Sequence, residues 1–269
     1  MRYDPVKKFF GDVVGSRLWL RRLFYALLGL LFLREWHVKR ELRNLLGSSS
    51  RPMEVYDAGT GFGQYSYYMA KRFPRSRIYA VDVNEEQVVE CRRFFETVGF
   101  RHCSFAVEDL LAIQHAGRFD LVLSVDVMEH IEEDRRVFQN LFRALKPGGV
   151  LLVNTPSNLG GSDVHAEGEQ SFIEEHARPG YGVEEIRTKL ESAGFMVERI
   201  AFTYGPFGSL AWRLGIKYPM RMLSATKLFF FLLPLYYLVT LPIVLPLMYL
   251  DYSSENNTGT GLLVIARKP

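Results

Sequence analysis

Residues 55–65 read Val-Tyr-Asp-Ala-Gly-Thr-Gly-Phe-Gly-Gln-Tyr. Three apolar or aromatic positions run into a turn that carries Gly59, Gly61 and Gly63. A short strand that breaks into a glycine loop before a helix is the start of a parallel α/β sheet, whose ligands bind at the carboxyl edge. Glycine there permits positive φ and lets a ligand approach the backbone. The spacing is GxGxG, and Gln64 stands where a dinucleotide fingerprint wants its last glycine. Asp57 lies two residues before the loop. An acid there would repel a pyrophosphate and suits a ligand that carries positive charge.

Downstream, strand and helix patterns alternate, as a parallel sheet with crossover helices requires. Strands are expected at 53–58, 77–82, 103–107, 119–125 and 149–154, with helices at about 63–73, 85–98 and 132–145. Pro147-Gly148-Gly149 is expected to stop the last helix and turn into the fifth strand. A polar loop follows over 155–181, then a helix at about 183–193, a strand from Phe195 to about Tyr204, and a final strand at Gly261–Arg267. Acids close the second and third strands. Asp82 stands 19 residues after Gly63, where a carboxylate can accept from both ribose hydroxyls. Glu108-Asp109-Leu110 ends the third strand, where an acid can take an adenine amino group.

The succession D-x-G-x-G-x-G at 57–63, VDVN at 81–84, EDL at 108–110, FDLVLSVDVMEHI at 119–131 and LKPGGVLLVNTPS at 145–157 resembles class I S-adenosylmethionine-dependent methyltransferases. It looks most like the small-molecule group that includes quinone-biosynthesis enzymes. The resemblance covers about 53–204 and 260–268 and implies a Rossmann-like seven-stranded sheet, its last strand antiparallel and inserted between the fifth and sixth. It implies S-adenosylmethionine as cofactor, contacted by Asp57, Gly59, Thr60, Gly61, Gly63, Asp82, Val83, Glu108, Asp109 and Leu110, with Ser124 and Val125 beneath it. The fourth strand ends in Ser-Val-Asp-Val, not in the Asn-Pro-Pro-Tyr type of loop of amino-methylating DNA and protein-glutamine enzymes.

Methyl transfer is an in-line displacement in which positioning can suffice, though a hydroxyl acceptor gains from a base. His130, after the fourth strand, is the first candidate; His176 follows, and His165 lies in the same polar loop. Glu175–Tyr181 resembles a segment that borders the substrate pocket in relatives. Asp126, Glu129 and His130 are spaced i, i+3, i+4, which could converge on a divalent cation. Glu-His is common in relatives without a metal, and none is assigned.

Charge is unevenly placed. The net charge is +3, but residues 1–43 hold ten basic and four acidic side chains, and 206–250 hold Arg213, Lys217, Arg221 and Lys227 with no acid. Leu228–Leu250 is an uncharged run of 23 residues that contains Pro234, Pro242 and Pro246. Its length meets the criterion for a transmembrane helix. A segment between adjacent strands of one sheet must return to its own side, however, so one crossing is forbidden and two do not fit, and the prolines are expected to break it. Residues 1–48 are read as an amphipathic helical segment, helical over 6–45, and 49–269 as the main domain with 206–258 as an apolar insertion. The insertion is expected to form a re-entrant or interfacial helical pair, to pack with 17–33 and to associate with an anionic membrane surface as a monotopic element, or to act as a lid or dimer interface. Basic residues interleaved with long apolar runs fit lipid better than nucleic acid.

The reading that results is a cytoplasmic, peripherally membrane-associated enzyme that methylates a lipophilic small molecule. An aminopropyl transferase of the same fold and a non-catalytic cofactor-binding scaffold are the alternatives. No signal peptide is read, since Phe24–Leu33 ends in Arg34-Glu35. Cys91 and Cys103 have no CxxC spacing and are expected to be buried free thiols.

Overall fold

The computed structural model describes residues 17–47, 49, 51–160 and 177–269. Seven strands form one sheet: β1 (Glu54–Ala58), β2 (Arg77–Asp82), β3 (Cys103–Val107), β4 (Phe119–Val125), β5 (Leu145–Pro156), β6 (Met196–Thr203) and β7 (Gly261–Arg267). Their order is β3-β2-β1-β4-β5-β7-β6. The first five are parallel, and β7 runs antiparallel to both β5 and β6. The sheet has the order and the antiparallel last strand that the motifs imply.

Side-chain alternation along the strands builds two cores. Tyr56, Val81, Val122 and Val264 face one side, where α5 (Asp134–Ala144) and α6 (Val183–Ser192) bring Phe138, Leu141 and Leu190. Val55, Ile78, Leu121 and Leu152 face the other, covered by α3 (Gln64–Arg72) and α4 (Glu85–Val98). The same face receives α1 (Leu18–Leu31) and α2 (Leu33–Gly47), whose Tyr25, Val38 and Leu42 are buried there.

Three local expectations are corrected. The described part of the N-terminal helix breaks at Phe32, whose φ of −105° and ψ of 112° are extended. The α5 helix ends at Ala144, ahead of Pro147, and Pro147-Gly-Gly lies within β5 at a register shift between Phe119 and Leu121. The third concerns the insertion.

Between β6 and β7, α7 (Pro206–Trp212), a π-helical turn (Arg213–Lys217) and α8 (Tyr218–Ala225) form one continuous rod of 20 residues. A 3-10 turn (Lys227–Phe231) leads into α9 (Leu233–Ser253), 21 residues long. Pro242 and Pro246 sit inside α9 without ending it, and Pro234 occupies its first turn, where no amide partner is needed. Contacts between Gly208 and Asp251 and between Leu214 and Tyr236 make the two rods an antiparallel hairpin. The Tyr236 and Tyr237 hydroxyls donate to the Leu214 and Gly215 carbonyls at 2.6 and 2.8 Å, within the π-helical turn. The helical pair expected from the sequence is present; the difference is that Pro242 and Pro246 do not break its second helix. The first arm carries Arg213, Lys217 and Arg221, so among the described residues only α9 is long and apolar enough to cross a membrane.

The hairpin stands on α2, which begins at Leu33, the last residue of the stretch expected to pair with it. Leu33 packs with Ala211, Val244 and Met248, and Arg40 stacks over Tyr252 while donating to its carbonyl at 3.0 Å. Asp251 is fully buried and accepts from the Gly208 amide at 2.9 Å, with His37 Nε2 3.8 Å from its other oxygen.

Candidate active site

At the end of β1 the chain turns through Gly59, Gly61 and Gly63 at φ of +83°, +52° and +78°. A Cβ on Gly59 would stand 2.3 Å from Val127 Cγ2, so this turn presses against the segment that follows β4. A Cβ on Gly61 would meet nothing within 4 Å, which leaves that side of the loop open to a ligand. The amides of Gly59 and Thr60 donate to the Val81 carbonyl at 2.9 and 2.8 Å. The Gly61 amide donates to one oxygen of Asp82 at 2.9 Å and the Asn84 amide to the other at 3.0 Å. Loop and β2 terminus are thus one unit.

Asp57 is placed differently from the reading that aimed its charge at a ligand. It is buried, and its Oδ2 accepts from the Thr60 hydroxyl at 2.9 Å and the Ser66 hydroxyl at 2.6 Å. Burial pushes its carboxyl up to about 6, against the two hydroxyl bonds that pull it down. Its first task is to hold the loop on α3.

At the next strand ends, Val83 is exposed. Glu108 accepts from the Tyr56 and Tyr79 hydroxyls at 3.0 and 2.5 Å, and His115 Nε2 lies 3.2 Å from both its oxygens. Asp109 is exposed and caps the following turn by accepting from the Leu111 amide at 2.9 Å, whereas Leu110 is buried in the core. Of this acidic pair, Asp109 is the one turned to solvent.

At the end of β4, Ser124 is buried with its hydroxyl unpartnered, and Val125 is half-buried. Asp126 follows in a left-handed conformation, φ +52°, and is paired with Arg34 of α2. Glu129 is buried and accepts from the Thr155 hydroxyl at 3.1 Å. His130 is half-buried in a 3-10 turn, Met128–His130, beside the same strand end. Asp126 and Glu129 therefore have separate partners, and among the described residues no three His, Cys, Asp or Glu side chains are grouped to hold a metal. His165 and His176 lie outside the described residues. The segment after them is anchored: Ala177 and Arg178 amides donate to the Glu129 carbonyl, and the Tyr181 hydroxyl bonds Asp134 at 2.7 Å.

The profile of the methyltransferase domain matches residues 49–194, more than half of the chain. The protein is a class I methyltransferase. Its cofactor is S-adenosylmethionine. Its curated relatives include a malonyl-[acyl-carrier protein] O-methyltransferase of Ilyobacter polytropus, 26% identical over 44% of this chain and 45% of that protein. A ubiquinone biosynthesis O-methyltransferase of Psychrobacter cryohalolentis is 29% identical over 38% of this chain and 40% of its own. The methyltransferase thus spans less than half the length of these two relatives. Among solved structures, a Haemonchus contortus phosphoethanolamine N-methyltransferase in complex with phosphomonomethylethanolamine and S-adenosylhomocysteine superposes with a TM-score of 0.62 at 18% identity, over 98% of this chain and 60% of that one. The [4+2]-cyclase SpnF gives 0.61 at 17% identity, over 87% and 80%. At such identities the likeness is one of fold.

The carboxyl edge of this methyltransferase fits that cofactor. Gln64 Oε1 at the start of α3 and Ser124 Oγ at the end of β4 are buried without partners, and buried polar atoms of this kind call for a ligand. The sequence reading missed what holds the cradle from outside. Arg21 of α1 is buried and donates to the Phe62 carbonyl at 2.9 Å and the Glu90 carbonyl at 3.2 Å; the Tyr25 hydroxyl donates to Phe62 as well, at 2.5 Å. Cys91, a free thiol pushed up to about 12 by burial, lies 3.0 Å from the same guanidinium. The signal was an arginine on the apolar helix, read as one of several surface charges.

Proposed function

We propose that this methyltransferase transfers a methyl group from S-adenosylmethionine to a lipophilic small molecule at a membrane surface. The observation that carries the reading is the hairpin between β6 and β7. Its base is docked on α2 beside the carboxyl edge, and its far end is apolar and open: Leu228, Phe231 and Leu238 are 73%, 79% and 72% exposed. Trp19, Leu23, Leu27 and Leu30 form a second exposed apolar stripe on α1. So much exposed apolar surface next to a site marks an interaction surface. Arg213, Lys217 and Arg221, with no acid in 206–250, match an anionic lipid surface and not a second apolar protein face. A basic side chain at the bilayer centre costs about 2.5–3.5 kcal/mol by insertion scales, so the charged arm lies shallow and the hairpin enters and leaves from one side. The relative named for ubiquinone biosynthesis is in keeping with such an acceptor.

In this reading the glycine loop takes the amino-acid end of the cofactor, Asp82 and Val83 the ribose and Asp109 the adenine, while Ser124 and Val125 lie beneath. The cofactor supplies an activated methyl group on a sulfonium. The chain supplies a dry, fixed approach for the acceptor and, for a hydroxyl acceptor, His130 as base. Incubation with methyl-labelled cofactor and a lipid extract of the source cells tests this. Label that enters the organic phase supports it; label confined to water-soluble products or macromolecules overturns it.

A further inference from the structure

Arg34 stands where three parts of the molecule meet. The residue before it, Leu33, is buried in the base of the hairpin, and its own backbone amide donates to the Tyr204 hydroxyl at 3.1 Å. Its guanidinium spans to the other side, where Nη1 pairs with Asp126, directly after β4. The guanidinium lies over the Phe32 ring, 4.9 Å from its centroid. Asp126 is steadied in turn by Asn154 Nδ2 at 3.3 Å. Among the described residues Asp126 alone accepts a hydrogen bond from this guanidinium, and Nε is buried with no acceptor. Asn154 Oδ1 is also buried and unpartnered. Glu35, the next acid along, is paired with Lys39 at 2.7 Å.

We infer that Arg34 is the anion-binding residue of the acceptor subsite, and that the acceptor is a lipophilic molecule with a carboxylate or phosphate near the methylated atom; this rests on the acceptor reading above. A guanidinium held at Nη1 keeps its Nε–Nη2 edge, the fork that matches two oxygens of such a group. A donor buried without an acceptor is costly, and an anion at that edge satisfies it. Position agrees with chemistry. An acceptor whose tail lies along the hairpin and whose head reaches the end of β4 passes the boundary between Leu33 and Asp126. Asp126 acts as the competing anion: it orients Arg34 and weakens the hold on the incoming group, which favours release.

The test uses the full chain saturated with S-adenosylhomocysteine and three probes below their aggregation limits: dodecanoate, dodecyl phosphate and dodecanol. At least one anion is expected to bind tenfold or more tighter than dodecanol, and which of the two leads tells carboxylate from phosphate. Arg34→Gln should erase that preference without changing affinity for S-adenosylhomocysteine more than twofold, and Arg34→Lys should keep part of it. Asp126→Asn should raise anion affinity threefold or more. A merely structural pair would lose binding of all three probes in both variants. Dodecanol binding as tightly as the anions, or a preference that survives Arg34→Gln, overturns the inference. An anion preference that vanishes with Arg34→Gln while no lipid is ever labelled would sink the acceptor reading and keep the anion site. Lipid labelling with no such preference does the reverse.

Discussion

The Asp82 carboxylate accepts the Gly61 amide at 2.9 Å, so the residue that ends β2 and the middle of the glycine loop hold each other. A ribose whose hydroxyls donate to this carboxylate competes with the loop for the same oxygens. Loop position and ligand binding are therefore linked through one side chain.

The two outer sides of the loop should fail in different ways. Gly59→Ala forces a Cβ to within 2.3 Å of Val127 at φ +83°. Left-handed strain plus overpacking should cost about 2–4 kcal/mol, visible as a lower Tm. Gly61→Ala shares the left-handed strain (φ +52°) but meets no clash, so its Tm should fall by less, while S-adenosylhomocysteine affinity drops tenfold or more because the new methyl group stands on the ligand's side. Equal stability losses in both variants would contradict this division.

Asp57 gives a pH signature. Its carboxyl is raised to about 6 in the folded protein, above its ordinary value of 3.8. A raised acid favours the protonated form in the fold, so its contribution is complete below about pH 4 and is lost as pH rises through 6. The isosteric Asp57→Asn does not titrate. Its stability relative to the parent should thus rise by on the order of 1–3 kcal/mol between pH 4 and pH 7.5, read by denaturant unfolding at each pH. A difference that stays flat, or falls, would show that Asp57 is not held as described.

The strap from α1 predicts an effect at a distance. Arg21→Met removes the donors to Phe62 and Glu90 while it keeps most of the side-chain volume. A loss of about 2–3 kcal/mol in stability is expected, with several-fold weaker binding of S-adenosylhomocysteine, because the Phe62 carbonyl lies between Gly61 and Gly63 of the loop. Calorimetric titration of the folded variant measures the second effect.

Strand ends, glycine spacing and the acids at 82 and 109 were legible in the sequence because period and turn chemistry are local. The partners of those residues were not. Nothing in the sequence of β3 announces that Glu108 is held between Tyr56 and Tyr79, since the three meet only through strand order. Arg21 and Arg34 were counted as surface charge, and burial against Phe62 and pairing with Asp126 are tertiary facts. The prolines of α9 were read by their local cost, and tertiary context overrode it: the antiparallel arm, bonded by Tyr236 and Tyr237, supports the helix.

The hairpin predicts a separation of folding from lipid binding. Phe231→Asp and Leu238→Asp change residues that are mostly exposed, so their Tm should stay near the parent while co-sedimentation with phosphatidylglycerol vesicles falls several-fold. Val244→Ala, at the buried base, should cost about 1–3 kcal/mol and leave vesicle binding of the folded protein intact. Undiminished sedimentation of both aspartate variants would rule out the tip as the lipid contact.

The most direct test of the site itself is calorimetric titration of S-adenosylmethionine into the parent and into Asp82→Ala. The account predicts one cofactor per chain for the parent and at least a thirtyfold loss in the variant, with the fold intact by circular dichroism. Wild-type affinity in Asp82→Ala would contradict it.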